Sequence, residues 1–160
     1  MAGKNKKDAK AVSAKEVSKE ELINGLNEDL SREYQAIIAY IVYSKTIKGA
    51  EFMNIAAELE VHAGEELQHA LKIADQIDYL GGKPNVTPKA VKTSAKAKDM
   101  LRFDLENESE TIKNYRIRVK QADALNLFAL SETLRGILVD EQDHHNALAT
   151  ALGIDPPEID

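Results

Sequence analysis

Apolar residues recur along most of this chain at the three-to-four-residue spacing of an amphipathic helix. Leu22, Leu26, Leu30, Ile37 and Ile41 form the first stripe. Ser18 followed by Glu21 is the S-x-x-E pattern of a capping box, in which each side chain satisfies a backbone N–H left free at a helix start. A first helix is therefore expected from Ser18 to about Ile47, stopping near Gly49. At ~1.5 Å per residue it would be about 40 Å long. A second is expected from about Ala50 to Leu80, halted by Gly81-Gly82. The stretch GGKPNVTPKAVKTSAK carries Pro84 and Pro88 and reads as a long connection. A third helix is expected from about Ala97 to Lys120, with a short break at Ala122-Asp123. A fourth runs from about Leu125 to Leu152, and Asp155-Pro156-Pro157 ends it. No β-rich stretch alternates with period two, so no strand is expected.

Four long helices joined by short, long and short connections imply an all-α fold, a four-helix bundle with one long crossover between the second and third helices. Short links make antiparallel neighbours. The long link returns the chain along the bundle, after which the third helix is expected to run antiparallel to the second. Residues 1–17 are polar, Lys-rich and aperiodic, which reads as a flexible tail ahead of a domain at 18–160.

The sequence has 160 residues, enough for one domain with its own core. Aromatic residues are 5% and Trp is absent, so that core must be aliphatic. The absence of cysteine rules out disulfides, thiolate zinc sites and cysteine-held iron–sulfur clusters, and suits a cytoplasmic setting. A net charge of −6 argues against a nucleic-acid binder. Nothing approaches the roughly 20 apolar residues that span a bilayer, and the N-terminus lacks the apolar stretch of a signal peptide.

The chemistry lies in an internal repeat with an offset of 75 residues. The first helix carries Asp29, Leu30, Glu33, Ile37 and Tyr40; the third carries Asp104, Leu105, Glu108, Ile112 and Tyr115. The second helix carries Glu65, Glu66 and His69, and the fourth repeats them as Asp140, Glu141 and His144. Residues at i and i+3 share a helix face, so Glu66 with His69, and Glu141 with His144, can each reach one metal ion. Glu33 and Glu108 add one carboxylate each. Four carboxylates and two divalent cations balance in charge, and buried carboxylates left without a cation would have to take up protons. Imidazole and carboxylate without thiolate suits Fe²⁺, Mn²⁺ or Zn²⁺. A lone E-x-x-H is usually a solvated face; two copies at matched spacing, each with a Glu 33 residues upstream, point to a dinuclear site.

These motifs resemble those of the ferritin-like di-iron carboxylate proteins, in which two helices supply a Glu each and the other two a Glu-x-x-His. The sequence is most similar to the bacterioferritins, over about residues 20–154 and most densely in MLRFDLENE, DEQDHH and REYQAIIAY. The resemblance implies that Glu66 and Glu141 bridge two iron ions, that Glu33 and Glu108 are terminal ligands, and that His69 and His144 each complete one shell. It places Tyr40 beside the di-iron centre. Leu67 stands where haem-binding members have their ligating methionine, so no haem is expected. The segment GIDPPEID after the fourth helix is unlike the fifth helix of bacterioferritins. A 24-subunit cage, a 12-subunit cage and a simple dimer therefore all remain open as homo-oligomers.

The implied activity is that of a ferroxidase acting on Fe²⁺ with O₂ or H₂O₂, coupled to iron storage or detoxification. Tyr40 and Tyr115 would hydrogen-bond a ligand carboxylate or donate an electron; packed tyrosines with satisfied hydroxyls are an equal alternative. Two other functions compete: a rubrerythrin-like di-iron oxidase or peroxidase without storage, and a structural or DNA-compacting shell. The Lys-rich tail could touch DNA phosphates, but a solubilising role is the simpler expectation. His62, one turn before Glu66, is either an ordinary polar residue or an iron-entry ligand. His145 is expected to be exposed. Asp29 and Asp104, each one turn before a terminal Glu, read as groups that support that ligand or guide iron entry, or else as helix caps or solvated surface residues.

Overall fold

The computed structural model describes residues 16–160. The Lys-rich tail at 1–17, apart from its last two residues, lies outside the described residues. Helix α1 spans Lys19–Thr46, α2 Met53–Tyr79, α3 Ala97–Ala124 and α4 Phe128–Leu152, and no strand occurs among the described residues. The capping box is formed: the Glu21 N–H donates to Ser18 Oγ and the Ser18 N–H donates to the Glu21 carboxylate. Gly49, at φ 126°, breaks the chain after α1, and a single 3₁₀ turn at Ala50–Phe52 leads into α2.

Three helices end in the same way. Gly81 (φ 82°) after α2 and Gly153 (φ 70°) after α4 take the left-handed conformation, and the next N–H in each case reaches back to close the last turn (Gly82 to the Ile77 carbonyl, Ile154 to that of Ala149). Asn126 (φ 58°) plays this part after α3, with the Leu127 N–H on the Ala122 carbonyl. That geometry explains two shifted boundaries. The expected break at Ala122-Asp123 is helical, and α4 starts at Phe128 instead of Leu125. Asparagine tolerates the left-handed region, and it is the true stop signal here.

The crossover lies along α1. Asn27 pairs with the backbone of Lys83 and Asn85, and Ser31 with Asn85 and Lys89. Gln35 donates to the Ala90 carbonyl, and Tyr43 to that of Lys92. Both partners ascend in number, so the crossover runs parallel to α1 and delivers the chain back to the end of the bundle where α2 began. α3 therefore descends antiparallel to α1, with residue 33 beside 115 and residue 40 beside 108. This makes α3 parallel to α2, correcting the expected antiparallel relation: the connection itself uses up the return trip.

The core is aliphatic with a few tyrosines, and it falls into two apolar lobes. One is built around Leu22, Leu26, Leu30, Ile73, Ile77, Leu134 and Ile137. The other contains Tyr40, Tyr43, Leu59, Leu101 and Leu148. Between them sits a slab of buried charge. No helix among the described residues is long and apolar enough to cross a membrane.

Candidate metal centre

Each of the four helices turns one buried acidic residue into that slab. Glu33 and Glu108 come from α1 and α3, the Glu66/His69 pair from α2, and the Glu141/His144 pair from α4; none of the six is more than 3% exposed. The six residues singled out by the repeat are thus brought together. They divide into two groups of four, each able to place one donor atom apiece around a common point: Glu33, Glu66, His69 and Glu141, and Glu66, Glu108, Glu141 and His144. Glu66 and Glu141 belong to both.

Both imidazoles aim Nδ1 inward. His69 Nδ1 lies 3.0 Å from Glu66, 3.3 Å from Glu141 and 3.6 Å from Glu33. His144 Nδ1 lies 2.9 Å from Glu66, 3.3 Å from Glu141 and 3.9 Å from Glu108. The outward nitrogens are held across the bundle. Asp140 Oδ2 is 3.0 Å from His69 Nε2, and Glu65 Oε2 is 2.8 Å from His144 Nε2. The two tyrosines cross over as well: Tyr40 donates its hydroxyl to Glu108, and Tyr115 to Glu33.

The electrostatics follow from burial and crowding. Burial, with Glu66 and Glu141 nearby, pushes the Glu33 carboxyl well above its usual range; burial with Glu141 and Glu66 does the same to Glu108. Burial alone would lower both histidines, but the carboxylates around them outweigh it. His69 is raised far above its usual value, and His144 is raised to about 12. Burial also opposes the charge on Glu66, yet hydrogen bonds with His144 and His69 hold it below the usual carboxylate range. Burial and their carboxylate partners raise Tyr40 and Tyr115 well above the ordinary phenol value, which keeps both hydroxyls protonated as donors.

Protein atoms do not complete this centre. Glu33 Oε2, Glu66 Oε1, both carboxylate oxygens of Glu141 and His144 Nδ1 are buried without a well-aligned hydrogen bond, their polar neighbours being members of the same centre at ion-pair distances. Carboxylate oxygens crowded in this way are costly unless a cation sits among them, and the mix of carboxylate and imidazole is one that divalent transition metals accept.

A model of the ferritin-like domain matches residues 23–155. The chain belongs to that family. Among relatives, it is 28% identical over 135 residues to the bacterioferritin of Streptomyces coelicolor, covering 84% of this chain and 81% of that one. It is 25% identical to the bacterioferritin of Brucella melitensis, covering 83% of each. Of solved structures, a ferritin-like di-iron carboxylate protein from Bacillus anthracis superposes with a TM-score of 0.81 at 38% identity, over 84% of this chain and 96% of that one. The bacterioferritin-related protein of Bacteroides fragilis, described as a dodecameric thioferritin, gives 0.79 at 27% identity, over 86% and 88%.

Several residues of this ferritin-like chain stand differently from their sequence reading. His145 is buried rather than exposed, because α4 also packs against α3, and its Nε2 is 3.0 Å from Ser109 Oγ. Asp29 and Asp104 are each 2% exposed, so neither is a solvated residue. Asp29 Oδ2 accepts from Arg118 Nε at 2.8 Å, and each of the two carboxyls has one buried oxygen with no hydrogen bond, Oδ1 of Asp29 and Oδ2 of Asp104. Glu65 and Asp140 were visible as repeated acids without a function; what they do depends on the helix opposite, and their repetition was the one available signal.

Proposed function

We propose that this chain is a ferroxidase. It binds two Fe²⁺ per chain through Glu33, Glu66, His69, Glu108, Glu141 and His144, oxidises them with O₂ or H₂O₂, and stores or detoxifies iron as part of a hollow homo-oligomer. The observation that carries this reading is the pair of four-donor groups sharing Glu66 and Glu141. Shared carboxylates hold two cations side by side, and paired Fe²⁺ supplies two electrons to one oxidant molecule.

The remaining residues prepare that event. Glu65 and Asp140 fix the imidazole orientation from the far side, as partners of metal-binding histidines do. Tyr40 and Tyr115 orient the terminal carboxylates through their hydroxyls, which favours a positioning role over electron donation. The two apolar lobes limit access of bulk water. The bacterioferritin relatives support iron as the substrate, and the dodecameric Bacteroides relative supports a cage over a dimer.

The test is to load metal-free protein with Fe²⁺ in air, desalt it, and count the iron retained. Far more than two per chain supports a closed cage and storage. About two per chain supports a catalytic di-iron protein without storage, and none retained overturns the site. Rapid oxidation should be abolished in Glu66→Ala and Glu141→Ala; full activity in either refutes the assignment.

A further inference from the structure

The internal repeat pairs each residue of the first half with one 75 positions on, and it shows where the two sides of the centre are built differently. Asp29 and Asp104 hold equivalent places, one turn before Glu33 and Glu108, and each is 2% exposed. Arg118 on α3 stands beside Asp29, with its Nε 2.8 Å from Asp29 Oδ2 and its Nη1 3.0 Å from Gln121 Oε1. The counterpart of Arg118, 75 residues earlier, is Tyr43. Burial and Asp104 raise the Tyr43 phenol to about 12, and its hydroxyl donates to the Lys92 carbonyl of the crossover. Asp104 therefore has a phenol for a neighbour where Asp29 has a guanidinium. Among the described residues, no cation lies within ion-pair distance of Asp104, and its Oδ2 has no hydrogen bond.

The Asp29–Arg118 bridge is not a requirement of the fold. The second half packs the equivalent aspartate without one, and a buried ion pair adds little stability over an apolar pair of similar shape. The bridge also makes demands on α1. A Cβ at residue 25 would run into the Arg118 guanidinium, so α1 carries Gly25 in its interior, where glycine weakens a helix relative to alanine. The counterpart of Gly25 is Met100, a buried core residue. A costly feature that one half of a repeat keeps and the other omits points to a local task.

The neighbours of the pair say what that task is. Asp29 lies four residues before Glu33 on one face of α1, and Arg118 three residues after Tyr115 on one face of α3. Tyr115 donates its hydroxyl to Glu33. Two ties thus join α1 to α3 one turn apart, Asp29 to Arg118 and Glu33 to Tyr115. On the other side, the tie from Tyr40 to Glu108 has no such companion, because Tyr43 bonds the crossover.

We propose that Arg118 is a positioning residue for the dinuclear centre: by holding Asp29 it fixes the register of α3 against α1, keeps the Tyr115 hydroxyl on Glu33, and so preorganises the Glu33/His69 position alone. The proposal rests on the dinuclear reading above. A carboxylate already held in its binding orientation gives up less freedom when an ion arrives, so that ion binds more tightly. Both apolar lobes stay packed when the bridge is lost, and the change is felt at Glu33 rather than along the whole bundle.

The test is an anaerobic calorimetric titration of the full metal-free chain with Zn²⁺, in which ¹⁵N resonances of the His69 and His144 imidazoles report the side that fills. Asp29→Asn combined with Arg118→Gln removes the bridge without leaving a buried charge unpaired. Wild type should take up two tight ions. In the double variant, the ion seen by His69 should bind about 10-fold more weakly, and the ion seen by His144 as in wild type. In a Tyr115→Phe background the same two changes should weaken binding no further, because the hydroxyl they position is gone. Equal weakening of both ions, no weakening of either, or an undiminished loss in the Tyr115→Phe background overturns the proposal and leaves the dinuclear reading intact. Fewer than two tight ions in wild type means that the dinuclear reading has failed, and the positioning role falls with it. Should the double variant not fold, Arg118→Lys decides the matter, since it keeps a cation beside Asp29 but loses the guanidinium fork. Weaker binding confined to the His69 side supports the proposal, and unchanged binding overturns it.

Discussion

Without a cation, the six-residue centre is held together by protons. Glu33 and Glu108 are pushed well above the usual range by burial and by neighbouring carboxylates, and their protonated forms are favoured. His69 is raised further still, and His144 to about 12. Each of the four places a donor atom in one of the two candidate metal-binding groups. A protonated nitrogen cannot bind a metal, and a neutral carboxyl binds it poorly, so two divalent ions displace up to four protons. Each proton released contributes a factor of ten per pH unit, or about 1.36 kcal/mol. The pair of ions should therefore bind more tightly by roughly 5 kcal/mol per pH unit, which is on the order of 100-fold for each ion. The slope lessens as pH rises through the raised values of Glu33 and Glu108, after which only the two imidazoles still release protons.

The same shifts set the pH dependence of the metal-free fold. All four folded-state values lie above the ordinary ones, 4.5 for the glutamates and 6.5 for the histidines. Their contribution to stability is complete below those ordinary values and is lost as pH rises through the folded ones. Metal-free protein should thus lose stability with rising pH, while loaded protein gains it only up to the ordinary histidine value and is level above it, so the effect of a chelator on the unfolding temperature should widen with pH. Calorimetric titration with Co²⁺ or Zn²⁺ under nitrogen, in buffers of differing ionisation enthalpy, counts the protons directly. Release of fewer than one proton per two ions, with affinity flat from pH 5.5 to 7, would refute the reasoning.

Three further outcomes are expected. Glu65→Ala should weaken the ion on the His144 side by about 10–100-fold, and Asp140→Asn the ion on the His69 side by as much, each leaving one tight ion in a calorimetric titration. Tyr115→Phe removes the hydroxyl that bonds Glu33, and should reduce affinity for the ion on that side by about 1.5–3 kcal/mol; unchanged affinity would make Tyr115 a packing residue only. Gly25→Ala should destabilise the protein by ~1–3 kcal/mol in chemical denaturation although alanine favours helix, because the added Cβ would lie 2.2 Å from Arg118 Cζ and push the guanidinium off Asp29. That loss should grow as pH rises through about 6, the value to which burial lifts Asp29 even with Arg118 beside it.

How much of this could be read from the sequence depended on whether the cause was local. The capping box at Ser18 and Glu21, the glycine stop after α2 and the convergence of the six candidate ligands all depend on residues within a turn or two of one another, or on the repeat. Asn126 was missed because asparagine signals a helix stop more weakly than glycine, so the α3–α4 boundary slipped by three residues. The direction of α3 depended on where the connection at 80–96 lies, and that is decided by Asn27, Ser31, Gln35 and Tyr43 on a helix 49 to 58 residues away. The burial of His145, Asp29 and Asp104 likewise comes from neighbouring helices, which a helical wheel drawn for one element leaves out.

The most consequential feature that spacing alone could not show is how the two halves of the repeat serve each other. The candidate ion-binding group with Glu108 and His144 takes those residues from the second half, but its orienting partners, Tyr40 and Glu65, come from the first. The group with Glu33 and His69 comes from the first half, and its partners Tyr115 and Asp140 come from the second. Glu66 and Glu141 are common to both. Neither helix pair can therefore present a complete, oriented site by itself. A change that loosens α1–α2 from α3–α4 acts on both ions at once, through the hydrogen bonds that fix their ligands as well as through the shared carboxylates. On this reasoning, the separation of the pairs and the loss of metal should be a single cooperative event, with the buried charge between the two apolar lobes setting its pH and metal dependence.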